Sequence, residues 1–139
     1  MNTTLSAAAS RFLEEPRFAV VATLNPDGTP LQAVVWYTLD GNAVVFNSRV
    51  GRQCPTNIAR DGRVSFIVAD GYNYVELRGR VEIDEDPVRG QEVIAGLTRR
   101  YHANDESLEA RIAAFASQAR VTFTLRPERI FERLPNERR

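Results

Sequence analysis

Residues 17–64 decide the fold, and they read RFAVVATLNPDGTPLQAVVWYTLDGNAVVFNSRVGRQCPTNIARDGRV. Three apolar runs lie within this stretch, at 17–24, 31–39 and 43–48. Pro26 and Gly28 in the first connection are typical of a β-hairpin turn, because proline presets φ and glycine accepts a positive φ. Connections this short join neighbouring antiparallel strands. The stretch therefore predicts a three-stranded β-meander, followed by one or two helical turns over 50–60.

The rest of the chain continues the same mixture of strands and short helices. The patterns predict a helix over 5–15 that is capped by Ser6, strands over 63–69 and 74–84, a helix from Pro87 to about Tyr101, a second helix capped by Asp105 or Ser107, and a last strand over 120–133. Strand–turn–strand order dominates, without a repeated strand–helix–strand rhythm. We therefore expect residues 1–139 to form a single, mainly β domain, an antiparallel β-barrel with short helices.

The charge and apolar composition of the chain indicates which partners and which cellular compartment to expect. The chain has 18 cationic and 18 anionic side chains, so its formal net charge is zero and no global field favours nucleic acid. No apolar run approaches the roughly 18 residues that a membrane span needs, and the first residues lack the features of a signal peptide. We expect a cytoplasmic protein that binds a small molecule, with no nucleic-acid or membrane partner.

The chain has no lysine, one cysteine and one histidine. Schiff-base formation and general-base catalysis by lysine are therefore excluded. Anions must be bound by arginine side chains, backbone N–H groups or helix N-termini. The single Cys54 and His102 make a protein metal site an unfavoured interpretation. Common nucleotide-binding, hydrolase and metalloprotease motifs are also absent. We predict no catalytic side chain, and any redox chemistry must be carried by a bound cofactor.

The best candidate site follows the meander, over residues 47–57. It combines small polar side chains with Arg49 and Arg52 and a helix start whose N–H groups are free, which are the requirements of a phosphate site. The alternative interpretation is a solvated loop with surface arginines. Cys54, at the same helix start, is either an inert thiol or a thiolate activated by its surroundings.

Four aromatic residues are ambiguous by the same reasoning. Trp36 and Tyr37 lie within a predicted strand, so that one faces the core and the other faces the opposite side. Either ring could pack in the core or form the wall of a flat ligand's binding site. Tyr72 and Tyr74, at a strand start, allow the same two interpretations.

Several segments together resemble a known family. The matching segments are VATLNPDGTP at 21–30, VWY at 35–37, VFNS at 45–48, NIARDGRVS at 57–65, YVELRGRV at 74–81 and RVTFTLRPERI at 120–130. In order and spacing they resemble the pyridoxamine 5′-phosphate oxidase-like flavin-binding split barrels. They are most similar to the short members that use the deazaflavin coenzyme F-420.

This resemblance implies a six-stranded antiparallel split β-barrel of the Greek-key type. It also implies a homodimer with cofactor at the interface, the cofactor being coenzyme F-420 or FMN. The ring system would lie against Val35 and Trp36, and the partner subunit would contribute residues near Tyr72 and Tyr74. The phosphate would be met by residues after the third strand and at the next helix start: Asn47, Ser48, Arg52, Gln53, Cys54 and Asn57.

Position 54 departs from the family pattern. Cys54 aligns where the family usually has a phosphate-binding lysine, and a thiol cannot replace an ammonium charge. Either Arg49 or Arg52 takes over this role, or the phosphate site is weakened or lost.

The resemblance implies an oxidoreductase that uses a flavin-type cofactor, with F-420 preferred, for hydride transfer to a small conjugated substrate. Alternatives are an FMN-binding oxidoreductase of the pyridoxamine-phosphate oxidase type and a non-catalytic protein that binds flavin, haem or an apolar ligand.

Overall fold

The structure is a computed structural model that describes residues 3–135; the ends of the predicted 1–139 domain lie outside the described residues. Its elements are, in chain order, α1 (Ala7–Glu14), β1 (Ala19–Leu24), β2 (Pro30–Val35), β3 (Thr38–Asp40), β4 (Ala43–Arg49), α2 (Gln53–Arg60), β5 (Arg63–Asp70), β6 (Asn73–Asp84), α3 (Pro87–Tyr101), α4 (Leu108–Ala114), β7 (Arg120–Leu125) and β8 (Arg129–Arg133). None of the helices within 3–135 is both long enough and apolar enough to cross a membrane.

The strands form one curled antiparallel sheet. Its order is β2-β1-β5-β6-β7-β4-β3, and β8 pairs with β6 outside this path. The long strand β6 curls the sheet, because Asn73–Arg80 pairs with β5 while Val81–Asp84 pairs with β7. The predicted mainly β, antiparallel split barrel with short helices is confirmed, although residues 3–135 contain eight strands rather than six.

One extra strand arises where the predicted strand 31–39 is interrupted at Trp36 and Tyr37. Its first part, β2, pairs with β1, and its last part, β3, pairs with β4. The Tyr37 side chain is fully buried, and its hydroxyl donates to the Leu13 carbonyl at 2.9 Å. Its backbone N–H donates to the Tyr101 hydroxyl instead of to a neighbouring strand. These tertiary contacts interrupt strand pairing between β2 and β3, so the prediction that Trp36 and Tyr37 lie within a strand is wrong.

The other extra strand arises because the predicted strand 120–133 bends between β7 and β8. Pro127 has no N–H for a ladder, and the Glu128 N–H donates to the Arg78 carbonyl. Gly79 permits this close approach, since a Cβ there would lie 3.2 Å from both Arg126 O and Glu128 N.

The core lies inside the curled sheet and consists mainly of aromatic and aliphatic side chains. Phe46 packs against Phe66 and Phe123, with ring centroids 5.6 and 5.3 Å apart. Helix α1 covers this core with the buried Leu13, and the Ser6 side chain caps the helix by accepting from the Ala9 N–H, as predicted. These contacts hold the ends of β4 and β7 rigidly beside α2 and α3, where the candidate site lies.

The predicted helix starts differ in how well they match the structure. Helix α3 begins at Pro87, as predicted, and Asp86 caps it; Pro55 lies in the first turn of α2. The N-cap of α4 is Ser107 rather than Asp105, and its side chain makes no capping bond. Asp105 instead accepts from the Ser107 N–H and hydroxyl, which fixes the turn that leads into α4.

Candidate functional site

A cavity of about 430 Å³ opens between β2, the start of α2, and the α3–α4 side of the sheet. Its volume lies within the range of about 300–1,000 Å³ that is typical of small-molecule sites. It brings together several predicted site residues: Val35, Trp36, Asn47, Ser48, Arg52, Gln53 and Cys54. Val34, which belongs to the strand segment expected to face the ring, lines the cavity as well. The remaining lining residues were missed by the sequence analysis: Phe18, Leu31, Ala33, Ile94, Leu97, Phe115, Gln118 and Arg120.

The cavity combines an apolar wall with a cationic polar region. Strand β2 and the two helices contribute aliphatic and aromatic side chains, whereas the end of β4 and the starts of α2 and β7 contribute polar ones. Arg52 and Arg120 are the charged lining residues, and no Asp or Glu of residues 3–135 lines the cavity. Two cations without a facing carboxylate create a positive potential that favours an anionic ligand.

Arg120 is held by neutral partners. Its Nε donates to Asn47 Oδ1 at 3.1 Å, its Nη1 donates to Gln118 Oε1 at 2.6 Å, and its Cζ lies 5.2 Å from the centre of the Phe115 ring. Burial and the nearby Arg52 and Arg49 lower the pKa of Arg120 to about 10, so the group remains charged at neutral pH. The sequence carries no distinctive signal for this residue, since an arginine at the start of a strand is common.

Asn47 connects the cavity to helix α3. It is buried, its Nδ2 donates to the Gly90 carbonyl at 2.9 Å, and its Oδ1 accepts from Arg120. Because both ends of the amide are engaged, its orientation is determined by these contacts. Gly90 allows α3 to lie against β7 at this point, since a Cβ there would lie 2.4 Å from Arg120 O.

The N-terminus of α2 faces the same region without the usual capping group. Its N-cap residue is Arg52, which makes no side-chain capping bond, and the first turn contains no acidic residue. Helix N-termini normally have Ser, Thr, Asp or Asn at this position, because the side-chain oxygen accepts a hydrogen bond from a first-turn N–H. A cation there is also unfavourable, because it lies beside the positive end of the helix dipole. A departure from a local sequence preference is expected at functional sites, where a ligand supplies the missing interaction.

The Cys54 thiol lines the cavity but is buried, with 6% of the residue exposed. Burial raises its pKa to about 11. The group is therefore a neutral thiol at neutral pH, and the interpretation of Cys54 as an activated thiolate is wrong.

We expect iodoacetamide at pH 8 to alkylate Cys54 at least about 100-fold more slowly in the folded protein than in urea. A pKa of about 11 in place of 9.0 leaves about one hundredth of the thiolate, and burial slows access further. Mass spectrometry over time measures both rates, with Cys54→Ser as the control that reports non-cysteine labelling. Equal rates in the two states would contradict the burial of this thiol.

Stacked aromatic rings form one side of the cavity. Trp36 stacks on Tyr101 with centroids 5.2 Å apart and an interplanar angle of 11°, and it meets Phe115 edge-on at 6.4 Å. Tyr101 is anchored because its hydroxyl donates to the Arg17 carbonyl at 2.6 Å. The Trp36 ring is thus fixed from behind and can support a flat ligand without reorganising.

Four predicted site residues do not line this cavity: Arg49, Asn57, Tyr72 and Tyr74. Arg49 is exposed at the end of β4, and Asn57 is buried and hydrogen-bonded to protein groups. Tyr72 is 86% exposed at the β5–β6 turn, and the half-buried Tyr74 follows it in β6. Contact of these four residues with a cofactor stays a prediction.

Comparisons with family models and with solved structures place the chain among known proteins. A protein-family model described as pyridoxamine 5′-phosphate oxidase matches residues 5–133. A solved structure named F-420 reductase is 30% identical, with a TM-score of 0.75 over 91% of this chain and 98% of that chain. A conserved hypothetical protein from Mycobacterium tuberculosis is 27% identical, with a TM-score of 0.77 over 93% of this chain and 84% of that chain.

More distant structures share the fold alone. The General Stress Protein 26 of Bacillus anthracis is 17% identical, with a TM-score of 0.64 over 88% of each chain. The comparison with curated proteins gives no match. Because the family model covers nearly all of the described residues, this chain belongs to the pyridoxamine 5′-phosphate oxidase family.

Proposed function

We propose that this protein is an oxidoreductase that binds a phosphate-bearing flavin-type cofactor, coenzyme F-420 in preference to FMN, and reduces a small conjugated substrate. One observation carries the proposal: a single cavity joins an aromatic and aliphatic wall to a cationic region that has no facing carboxylate among residues 3–135. A ligand with a flat ring and a phosphate-bearing tail matches this cavity, because the ring fits the apolar wall and the phosphate fits the cationic region. The likeness to an F-420 reductase at 30% identity supports the choice of cofactor.

The residues present fit such a cofactor. Val35 and Trp36 would support the ring system, while Ser48, Arg52 and the N–H groups of Gln53 and Cys54 would meet the phosphate. Neither of these two N–H groups can have an intrahelical acceptor, because they begin α2.

When bound, the cofactor supplies the hydride chemistry, and the chain supplies binding and orientation. Ile94, Leu97 and Phe115 give the cavity apolar walls that exclude water from the ring. No Asp, Glu, His or Lys of the described residues lines the cavity, so a proton required by the substrate would come from solvent.

We further propose that the protein works as a homodimer whose partner completes the site. Phe18 and Val34 line the cavity and are 63% and 69% exposed, and β2 is an edge strand of the sheet. Covering such apolar groups stabilises an assembly. In this arrangement Tyr72 and Tyr74 of one protomer would approach the cofactor of the other.

The test is a pair of equilibrium titrations with coenzyme F-420 and with FMN, each followed by cofactor fluorescence. Micromolar or tighter binding of F-420 with weak FMN binding would support the deazaflavin assignment. The reverse preference would make the protein an FMN enzyme. Equal binding of both would overturn the preference for F-420, and binding of neither would overturn the proposal.

Arg52→Ala is expected to weaken cofactor binding by about 10-fold or more, because hydrogen bonds to charged groups contribute about 1.5–3 kcal/mol. The side chain is exposed and caps no helix N–H, so the unfolding free energy should change little. Arg126→Ala, which removes an exposed arginine paired with Glu82, is the control for lost charge and should retain wild-type affinity. Equal affinity of Arg52→Ala and wild type would remove Arg52 from the site.

A further inference from the structure

The resemblance implies a phosphate-binding lysine at position 54, where this chain has Cys54. Cys54 is buried there as a neutral thiol and can neutralise no charge. Arg52 is exposed to solvent, which screens its interaction with an anion, so Arg52 by itself attracts a phosphate only weakly. A phosphate carrying up to two negative charges requires a second, better shielded cation.

Arg120 has the surroundings of an anion-binding arginine. Its Nε and Nη1 are oriented by the amide oxygens of Asn47 and Gln118, which are neutral and leave its positive charge uncompensated. Its Nη2 donates to no group among residues 3–135, and no carboxylate of those residues lies within ion-pair distance. The guanidinium is therefore positioned but not neutralised.

Several exposed arginines of this protein have acidic partners, whereas the half-buried Arg100 donates to three backbone carbonyls in and after α1. Arg63 contacts Asp61 at 2.7 Å, Arg111 contacts Asp105 at 2.7 Å, and Arg126 contacts Glu82 at 3.1 Å. Arg120 is less exposed than these residues, and a half-buried cation without a counter-ion costs stability. A bound anion would offset this cost.

The position of Arg120 matches the phosphate region. It begins β7 directly opposite Arg49 in the register of β4, and it lines the same cavity as Ser48, Arg52 and Cys54. A phosphate there would lie within reach of cations from two separate elements, α2 and β7.

We propose that Arg120 takes over the charge of the missing lysine and is the main residue that selects phosphorylated cofactors over their phosphate-free forms. The inference rests on the proposed function and deepens it. The ligand selected in this way is a planar ring that carries a phosphate ester, and its phosphate would bind between Arg120 and Arg52. Asn47 and Gln118 are positioning residues, because they orient the Arg120 guanidinium.

The experiment compares two ligand pairs: FMN against riboflavin, which differ in the phosphate alone, and F-420 against its deazaflavin chromophore, which lacks the whole phosphate-bearing tail. Fluorescence titration gives the dissociation constant of each. Wild type should prefer the phosphorylated member of the pair it binds by about 10- to 100-fold. Arg120→Met should remove most of this preference by weakening the phosphorylated ligand alone, leaving the affinity for the phosphate-free ligand within about twofold.

Two further variants complete the design. Arg126→Met removes an exposed charge just beyond the other end of β7 and should keep the wild-type preference. Cys54→Lys in the Arg120→Met background should restore at least part of the preference, because it returns a cation to the position used by the family. Thermal unfolding of each variant checks that the protein is folded.

The outcomes separate the two proposals. If wild type binds no member of either pair, the proposed function fails and this inference falls with it. If wild type prefers the phosphorylated ligand and folded Arg120→Met prefers it equally, only the role of Arg120 is overturned. If Arg120→Met does not fold, Arg120→Gln takes its place, because its amide can donate to a neighbouring amide oxygen without carrying a charge. A folded Arg120→Gln that keeps the wild-type preference would also overturn the inference.

Discussion

Gly90→Ala is expected to lower the free energy of unfolding by about 2–3 kcal/mol, the upper part of the range for overpacking a close contact. The added Cβ would lie 2.4 Å from Arg120 O and 3.1 Å from its carbonyl carbon. Both atoms belong to the backbone of β7, which pairs with β4 and β6 and cannot move aside cheaply. Helix α3 must therefore shift, although alanine is otherwise the better helix former.

The matched control lies two turns away in the same helix. Gly96 has no atom within 4 Å of a built Cβ, so Gly96→Ala should stabilise the protein by up to about 1 kcal/mol. Urea unfolding of both variants, followed by circular dichroism, measures the two changes. If they had the same sign, the close packing of α3 on β7 would be refuted.

The same substitution should affect the candidate site. Gly90 O accepts from Asn47 Nδ2, and Asn47 Oδ1 accepts from Arg120, so a shift of α3 displaces this chain of hydrogen bonds. Folded Gly90→Ala should consequently bind the cofactor more weakly than Gly96→Ala does.

Asn57→Leu is expected to cost about 3 kcal/mol, because the side-chain amide is fully buried and bonded at both ends. Its Nδ2 donates to Thr23 Oγ1 at 3.1 Å and to Asn25 Oδ1 at 3.0 Å, while its Oδ1 accepts from Gln53 at 2.7 Å and Arg60 at 3.2 Å. Leucine has a similar size but cannot form hydrogen bonds, so Thr23, Asn25 and Gln53 would each lose the bond to residue 57. Urea unfolding measures the loss.

Thr56→Val is the control on the same helix. Thr56 is exposed and its hydroxyl bonds only to the Arg52 carbonyl one turn earlier, so we expect a change within about 0.5 kcal/mol. The pair also tests the family-derived prediction for Asn57. A folded Asn57→Leu variant with wild-type stability and lost cofactor affinity would make Asn57 a ligand contact; lost stability would make it a support for α2.

Much of the fold could be predicted because its signals are local. Pro26 and Gly28 specified the first hairpin, and Gly28 has the expected positive φ of 85°. Asp86 and Pro87 marked the start of α3, since both residue types satisfy the geometry of a helix N-terminus. Such features depend on the preferences of a few adjacent residues.

The wrong strand predictions have tertiary causes. The residues around Trp36 and Tyr37 have the apolar character of a strand, yet hydrogen bonds of Tyr37 to Leu13 and Tyr101 end the ladder there. These partners lie 24 and 64 positions away in the sequence. No local pattern could indicate that the chain changes ladders at this point.

The candidate site divides in the same way. Asn47, Ser48, Arg52 and Gln53 were recognisable because they lie close together in the sequence, after a strand and at a helix start. Arg120 could not be recognised from its position in the sequence, because the pairing of β7 with β4 is what brings it to the cavity.

The sequence by itself determined the antiparallel β class, the helix starts and the need for arginine or backbone groups to bind any anion, because these follow from local conformational preference and composition. Only the tertiary structure decided that Cys54 is a buried neutral thiol and that Arg120, beside Asn47 and Gln118, has no counter-ion among residues 3–135. Burial and charge compensation depend on which distant segments come together, and strand pairing, rather than sequence spacing, brings these segments into contact.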